Sequence, residues 1–345
     1  MANIFSARMI EQPSFIEPDF IVTMAQASGF LHAFYGDAPR VKLGTVDKEV
    51  YIQILDVRSQ IAVNQASHNL LPMATLVASF MQTPTYLMMD RAEYNDVELA
   101  EAGEWNIALP MAQRLAMRQG HYQAMRVAAL FGFNASNGEG LLNTPGATQV
   151  NLPPDPFGNT TLLEYDAGAL TLFFLQQMNL LATGMWALGT PLKFTILGPQ
   201  RVLGTMQFRN IIQLTTFQRQ GAGTATTAQA ITEVAGQFGH PVEWAFDDTL
   251  LGKGGSYGGA SGSDVVVLIC PEMIIPGMEG INTNEFGGVT PNMGANSLIY
   301  CDVPAPVEVT TPIPQGLDIV SSMRITPGWG LRSQALYILT MPYGS

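Results

Sequence analysis

The sequence predicts an α+β fold, because helical and extended patterns are mixed along one chain. In residues 108–131, apolar side chains recur at helical spacing, which indicates a long helix. In residues 40–63, apolar and β-branched residues alternate with polar ones, which indicates an extended hairpin or ribbon. The 34 glycines and 22 prolines supply turns between such segments.

Charge is scarce along this chain. The 16 basic and 28 acidic residues make up 13% of its 345 residues, against roughly 25% in an average soluble protein. A disordered protein is poor in apolar residues, whereas this chain is 47% hydrophobic. A nucleic-acid reader needs a basic surface, and the net charge here is −12. We therefore expect neighbouring subunits to cover much of the surface.

Neither secretion nor membrane insertion is expected. The first residues lack the apolar core of a signal peptide. Residues 167–192 carry no charge, but three amide side chains lie in the segment, where a bilayer would penalise them, so we expect a buried helix. The two cysteines, Cys270 and Cys301, are expected to be buried thiols of a protein made in a reducing cytosol.

The N-terminal part predicts extended and exposed elements. Residues 1–36 are expected to form an arm that ends in a helix, opened by a proline and closed by a glycine. The ribbon of residues 40–63 has no core of its own and needs another surface to lie on. Residues 64–84 carry no clear pattern, and residues 85–90 predict a strand.

An acidic cluster comes next, at residues 93–104, with no basic residue among the acids. Asn95 and Glu98 have the spacing of a capping box, which predicts a short helix to about Glu101. Acidic side chains are favourable at the N-terminus of a helix, and this explains the cluster more simply than catalysis does.

The helix of residues 108–131 carries arginines but no acid. At about 100° per residue, Arg114, Arg118 and His121 fall on one stripe. Small residues such as Ala112 and Ala116 dominate the opposite side, which permits close backbone approach. The stripe has two interpretations, a solvated basic face or a surface that meets acids of another chain.

Further helices and strands are expected along the rest of the chain. Residues 132–158 predict a loop, residues 252–263 a flexible Gly/Ser segment, and residues 304–314 a proline-rich linker. The predicted helices cover residues 166–183, a segment that ends near residue 206, and residues 228–238. The predicted strands are residues 192–197, 242–246, 264–270, 317–325 and 334–341.

No catalytic constellation emerges from the motifs. Gly254, Ser256 and Gly258 match the nucleophile elbow of α/β hydrolases, which needs a strand before it, a helix after it and a later histidine. Here the motif lies in a Gly/Ser loop, and the last histidine, His240, precedes it. The scattered histidines give no zinc spacing. We predict no enzyme activity, cofactor or metal site, and a hydrolase that uses Ser256 stands as the weaker alternative.

Three sets of segments follow one another in an order that carries a resemblance. They are ribbon residues 57–62 ahead of 71–72, the tract from 94–99 through the long helix to 130–132 and 140–145, and the last strands at 323–330 and 336–338. In this order the chain resembles the major capsid proteins of tailed bacteriophages, which have the Hong Kong 97-type fold. Within them it is most similar to an encapsulin-like, uncharacterised major-capsid family. The turn that begins at Gly140 is the best local signal.

The resemblance implies the parts of that fold. These would be an N-terminal arm (1–36), an extended loop (37–82), a peripheral domain with a long spine helix (83–159 and 306–345) and an axial domain (160–305). Copies of the chain would form hexamers and pentamers that close an icosahedral shell around packaged double-stranded DNA. An encapsulin-like nanocompartment shell shares this fold and is the alternative.

The resemblance also implies partners and a location. The partners would be further copies of the chain, with portal, scaffold and decoration proteins, and DNA held without sequence-specific contacts. The location would be the virion capsid, after assembly in the host cytoplasm. Some family members cross-link a loop lysine to an asparagine, but no motif here supports a cross-link. The candidate subunit-contact residues are Lys42, Lys48, Arg58, Glu98, Glu101, Glu104, Arg114, Arg118 and Arg126.

Overall fold

The computed structural model describes residues 47–58, 75–104, 109–184, 192–209, 225–270, 307–328, 330 and 333–344. The predicted arm, Lys42 and Cys301 lie outside these residues. Within them the chain divides into two compact units. The smaller unit contains residues 87–124 and 307–323, and the larger contains the other described residues.

The strands and helices are numbered in chain order. The strands are β1 (Glu49–Arg58), β2 (Thr75–Pro84), β3 (Tyr86–Asn95), β4 (Thr148–Asn151), β5 (Phe194–Gly198), β6 (Val242–Phe246), β7 (Asp264–Ile269), β8 (Val307–Ile313), β9 (Gly316–Ile325) and β10 (Leu336–Met341). The helices are α1 (Asp96–Glu104), α2 (Leu109–Phe131), α3 (Ala167–Gly184), α4 (Gln200–Phe208) and α5 (Thr227–Gln237). This content confirms the α+β prediction.

β1 and β2 form a two-stranded antiparallel ribbon in the larger unit. Its register runs from Glu49 opposite Pro84 to Arg58 opposite Thr75. The ribbon predicted within residues 40–63 is therefore confirmed for β1. Its partner strand lies within residues 64–84, which carry no clear pattern because β2 contains an apolar run without strict alternation.

The smaller unit packs helices on a three-stranded sheet of order β3-β9-β8. Its buried cluster is small and consists of Tyr94, Ala102, Leu109, Met117 and Ile319. The proline-rich linker predicted at residues 304–314 is wrong for β8, which is a strand. Pro312 is tolerated there because β8 is an edge strand, where one face of the backbone has no ladder partner.

The larger unit contains a five-stranded mixed sheet of order β4-β10-β7-β5-β6. β7 runs antiparallel to both of its neighbours, whereas β5 is parallel to β6 and β10 is parallel to β4. Every residue of β5 and β7 is buried. The core that covers them includes Phe174 of α3, Met206 of α4 and Ile231 of α5.

This sheet does not follow the domain boundaries expected from the sequence. Residues of β4 and β10 were assigned to the peripheral domain, and β5, β6 and β7 to the axial domain. β10 nevertheless hydrogen-bonds to β7 on one side and to β4 on the other. A boundary at 159/160 or at 305/306 would therefore pass through one continuous hydrogen-bonded sheet.

Backbone hydrogen bonds hold the Gly/Ser segment at 252–263 in a defined conformation, whereas the sequence predicts a flexible segment. The Gly254 amide donates to the Ser263 carbonyl at 2.7 Å, and the Gly259 amide donates to the Gly254 carbonyl at 3.0 Å. A Cβ atom on Gly254 would lie 2.3 Å from the Ser263 hydroxyl oxygen. The glycines serve close backbone approach here, which their composition alone does not reveal.

The long helix ends in a junction where backbone packs on backbone. The Gly140 amide donates to the Gly328 carbonyl at 2.7 Å, and the Gly328 amide donates to the Ala128 carbonyl at 3.1 Å. Gly140 has φ 92°, and a Cβ there would lie 2.3 Å from the Phe131 carbonyl carbon. The segment that carried the resemblance is thus a tight turn that admits no side chain at this position.

Residues 167–184 of the uncharged segment form α3, which buries one side, including Phe174 and Leu181, and exposes the other, including Leu180. The expected helix is therefore present, but only one side of it is buried. No described helix has both the length and the hydropathy needed to cross a membrane. Cys270 is fully buried, which agrees with the burial expected for that cysteine.

Candidate functional site

The acidic cluster begins with Glu93 on β3 and continues along α1, which starts directly after the strand. The Glu98 amide donates to Asn95 Oδ1 at 2.7 Å, and the Asn95 amide donates to a Glu98 carboxylate oxygen at 3.4 Å. These two bonds confirm the predicted capping box. Glu101 and Glu104 are exposed, and neither has an ion-pair partner within the described part of the chain.

Both arginines of the predicted stripe contact one acid of the same chain. Arg114 Nε lies 3.4 Å from Glu308 Oε2, and Arg118 Nη2 lies 3.4 Å from Glu308 Oε1. The arginine side chains are 43% and 62% exposed, so each pair stabilises the fold by at most about 1 kcal/mol. A guanidinium has five N–H donors, and each arginine therefore keeps donors for a second carboxylate.

The orientation of α2 differs from the expected one. His121, which the helical wheel grouped with the arginines, is buried, and its Nε2 lies 3.1 Å from Ser321 Oγ. Ala112 and Ala116, expected to permit close approach, are exposed instead. Met117 is the residue of this part of α2 that joins the core, and it buries more apolar surface than an alanine would.

The three-stranded sheet has an outer face that no described element of the smaller unit covers. Along β9, Ile319, Ser321 and Met323 are buried, so the intervening residues face outward. Val320 is one of these and lies opposite Val309 of β8. The exposed apolar residues of this outer face are Leu87, Met89, Val307 and Val309, each between 49% and 63% exposed.

A charged group interrupts that outer face. Arg91 Nε donates to Asp318 Oδ1 at 2.9 Å, and Arg91 Nη2 lies 2.9 Å from a Glu93 carboxylate oxygen. The carboxylates of Asp318 and Glu93 raise the pKa of Arg91, first through the hydrogen bond that Arg91 donates to Asp318. An apolar face with a fixed charge pattern has the composition of a protein–protein contact.

The ribbon joins the rest of the larger unit through Thr85 and Tyr86, the two residues that follow β2. Arg324 Nη1 donates to the Asp47 carbonyl at 2.8 Å and to Thr85 Oγ1 at 2.9 Å. The Tyr86 hydroxyl donates to the Glu139 carboxylate at 3.0 Å, and its ring centre lies 4.4 Å from that of Phe133. Burial, and then the Glu139 carboxylate, raise the pKa of Tyr86.

The remaining described candidates for subunit contacts are Lys48, Arg58 and Arg126, which do not belong to the group around Glu308. Lys48 is exposed beside the start of β1, and Arg58 ends β1, where only the backbone is described. Arg126 belongs to the larger unit, where its Nε lies 3.7 Å from the fully buried Asp247 carboxylate. The Arg126 side chain is only 16% exposed, so little of it is available to another chain.

The chain resembles solved structures of phage capsids. The chain matches the capsid of Myoviridae phage XM1 with a TM-score of 0.65 and 12% identity, covering 99% of this chain and 100% of that one. It matches the capsid of cyanophage P-SCSP1u with a TM-score of 0.56 and 12% identity, covering 98% and 94% of the two chains. The mature capsid of bacteriophage PhiM1 matches with a TM-score of 0.56 and 9% identity, covering 97% and 93%.

This chain has the Hong Kong 97-type fold of tailed-bacteriophage capsid proteins. The fold predicted from the order of segments is therefore confirmed. No protein-family model matches the sequence, and no curated protein matches it. The narrower assignment to an encapsulin-like family stays a prediction.

Within this capsid fold, the Gly-x-Ser-x-Gly match has none of the context of a nucleophile elbow. Ser256 lies in a 3-10 turn, Gly254–Tyr257, which a strand follows and no strand directly precedes. His121 is bonded to Ser321, and His240 Nδ1 accepts the Leu192 amide at 3.0 Å. In the described ranges, no three histidine, cysteine or acidic residues are grouped so as to hold a metal ion.

The residues that attach the ribbon of the capsid fold belong to no sequence motif. Thr85 and Arg324 are 239 positions apart, and Tyr86 and Glu139 are 53 positions apart. A lone tyrosine and a lone threonine before a strand carry no motif. Only Glu139 carries a signal, as an acid between two glycines in the turn that follows the long helix.

Proposed function

We propose that this chain is a major capsid protein, whose copies assemble into hexamers and pentamers of an icosahedral shell around double-stranded DNA. The observation that carries the proposal is the likeness to the phage XM1 capsid over 99% of this chain and 100% of that one. The two-stranded ribbon and the uncovered outer face of the three-stranded sheet support it, since both need a further surface to bury them.

The proposal assigns the apolar outer face to contacts between copies. Leu87, Met89, Val307 and Val309 expose apolar side chains on one face. Burying apolar surface contributes about 25 cal/mol per Å², and a stable contact buries roughly 1,600 Å² in total. A lattice divides such burial among several contacts of each subunit. This explains why a chain with only 13% charged residues would stay soluble once assembled.

Charged residues would set the register of these contacts. Glu101 and Glu104 provide exposed acids, and Arg114 and Arg118 keep free donors beside Glu308. We propose that the acids of α1 in one copy meet the arginines of α2 in another. Lys42, Lys48, Arg58 and Glu98 remain proposed contacts of the extended loop and of α1, and Arg126 is the weakest candidate because it is mostly buried.

The remaining assignments are part of the same proposal. Residues 37–82 would serve as the extended loop and α2 as the spine helix of a peripheral domain. Portal, scaffold and decoration proteins would be partners, and assembly would take place in the host cytoplasm. A net charge of −12 favours DNA held by confinement rather than by base contacts.

Expression of the chain, followed by light scattering and negative-stain microscopy, tests assembly directly. We expect capsomers or closed shells. A compact particle that stays monomeric at high concentration contradicts the proposal. Nuclease-protected double-stranded DNA in particles from the native source separates a phage shell from a compartment, which would contain a protein cargo instead.

Charge reversal tests the proposed register. We expect Arg114→Glu with Arg118→Glu to leave a folded monomer and to reduce capsomer yield at least tenfold. Glu308→Gln is the matched control, because it removes the acid within the chain and keeps both arginines. If Glu308→Gln lowers the yield equally, the arginines act within the subunit and the proposed contact is refuted.

A further inference from the structure

We propose that Thr85, Tyr86, Glu139 and Arg324 are positioning residues that fix the direction of the β1–β2 ribbon at its root. The inference rests on the proposed shell function for its consequence, but its structural content concerns a single chain. All four residues belong to the larger unit, which also contains the ribbon.

The root of the ribbon is the place where β1 begins and β2 ends. On its first side, a group of hydrogen bonds, here called a clamp, holds both strands together. Asp47 comes just before β1 and Thr85 just after β2. Thr85 Oγ1 donates to the Asp47 carbonyl at 2.5 Å, and the Thr85 amide donates to the Lys48 carbonyl at 2.9 Å. Arg324 of β9 donates to Asp47 and to Thr85 from the same nitrogen, Nη1. The Arg324 guanidinium therefore binds the residues next to both strands of the ribbon.

The second side of the root uses the next residue, whose side chain points the opposite way along an extended backbone. The Tyr86 hydroxyl donates to both Glu139 oxygens, at 3.0 and 3.2 Å. Glu139 is 4% exposed and also accepts the amides of Phe133 and Asn134, at 3.3 and 2.9 Å. This buried carboxylate therefore connects the root to the turn that follows α2.

Because the ribbon is long, a small change of angle at its root moves its tip by a large distance. Each strand has 10 residues, which span roughly 33 Å at about 3.3 Å per residue. A swing of about 10° at the root would move the tip by about 6 Å, which exceeds the strand spacing of about 4.8 Å. An error of that size would displace every tip contact from its partner. Two clamps on opposite sides of one strand oppose such a swing in both directions.

Distance measurement on the isolated chain tests the clamp without reference to assembly. Spin labels at Gln53→Cys in the ribbon and Phe208→Cys on α4, with Cys270→Ala and Cys301→Ser, report the ribbon direction. We expect a narrow distance distribution that broadens at least twofold in the double variant Arg324→Met and Tyr86→Phe. Tyr86→Phe keeps the ring contact with Phe133 and removes only the bonds to Glu139.

Two controls separate direction from general stability. Tyr343→Phe also removes a tyrosine hydroxyl from the larger unit, one that lies 3.4 Å from Thr205 Oγ1, and should leave the distribution narrow. Arg324→Lys, in place of Arg324→Met in the double variant, keeps a donor within reach of Thr85. The distance distribution should then be almost as narrow as that of the wild-type chain. A double variant as narrow as the wild-type chain overturns the proposal, and so does equal broadening in Tyr343→Phe.

The assembly experiment then connects the clamp to the shell. We expect the double variant to give open sheets or particles of mixed diameter, with at least tenfold fewer closed shells. Closed shells of unchanged diameter and yield would overturn the positioning role. A wild-type chain that has a narrow distance distribution but never assembles would instead refute the proposed function and leave the clamp standing.

Discussion

The two sheets of this protein bury their strands to very different extents. In the five-stranded sheet, every residue of β5 and β7 is buried, and helices supply a large core that includes Phe174 and Ile231. In the three-stranded sheet, Tyr94 is the only buried residue of β3, and β8 has none. The inner strands β5 and β7 are thus enclosed on both faces, whereas the central strand β9 of the three-stranded sheet buries one face and leaves the other open.

The difference indicates which part of the subunit supplies stability and which part supplies contacts. Apolar side chains removed from water stabilise the fold, whereas those left exposed on a regular face become useful only when another surface covers them. We therefore expect substitutions in the larger core to affect unfolding, and substitutions on the outer face to affect assembly.

The largest expected effect comes from a paired substitution in the two regions. Phe174→Ala empties a fully buried site and should lower the free energy of unfolding by about 3–5 kcal/mol. Met89→Ala, at a site that is 63% exposed, should change it by less than about 0.5 kcal/mol. Urea denaturation measures both. Equal losses would remove the distinction between the sheets.

The same Met89→Ala variant is expected to impair assembly. Its capsomer yield should fall several-fold, because the variant removes apolar surface that a neighbouring copy would cover. A yield equal to that of the wild-type chain would show that the outer face stays open in the shell.

A smaller effect is expected at the ion pair of the enclosed region. Arg201 donates from Nε and Nη2 to the fully buried Asp264 carboxylate, at 2.6 Å in each case. Arg201→Met should destabilise the fold by about 2 kcal/mol, less than for a fully buried pair because 35% of the arginine side chain is exposed. Adding Asp264→Asn should recover part of the loss in a double-mutant cycle. Simple additivity would mean that the two groups are not coupled.

The cap of α1 tests the open region with a smaller change. Asn95→Ala removes the acceptor for the Glu98 amide and should cost about 1 kcal/mol. Hydrogen exchange should show the loss at the amides of α1 and leave those of β7 unchanged. Asn95→Asp retains an acceptor and should behave like the wild-type chain. Faster exchange in β7 would contradict the assignment of stability to the larger core.

The smallest expected effect is a pH dependence in the larger unit. Burial lowers the pKa of His240, and its Nδ1 accepts the Leu192 amide, which requires the neutral ring. The unfolded chain therefore binds a proton more readily, and stability should fall as the pH drops below about 6.5. His240→Asn keeps an acceptor without titrating, so the loss of stability between about pH 7.5 and 5.5 should shrink. An unchanged pH profile would assign the dependence to other groups.

Local patterns predicted the helices and most strands of this fold well. The expected capping box at Asn95 and Glu98 is present, and the expected helix within residues 108–131 is α2. These features depend on neighbours in sequence, which a pattern of residues can reveal. The order of such elements was sufficient to indicate the Hong Kong 97-type fold.

Contacts between residues far apart along the chain could not be predicted from local sequence patterns. Pairing of β10 with β7 and the bonds of Thr85 with Arg324 join residues that are far apart along the chain. Glycine content suggested flexibility at residues 252–263, although those glycines permit close packing. The helical wheel of α2 gave the angular spacing of its residues but not the face that the core would take.

The strand order of the larger sheet has a consequence for synthesis on the ribosome. β10 lies between β4 and β7, yet residues 336–341 are translated well after residues 264–269. At about 5–20 residues per second, this gap takes roughly 3–13 seconds. During that interval β7 has an unpaired edge, where strands are prone to join other chains. We expect the nascent chain to depend on chaperones at this stage, and lattice growth to begin only from subunits that have left the ribosome.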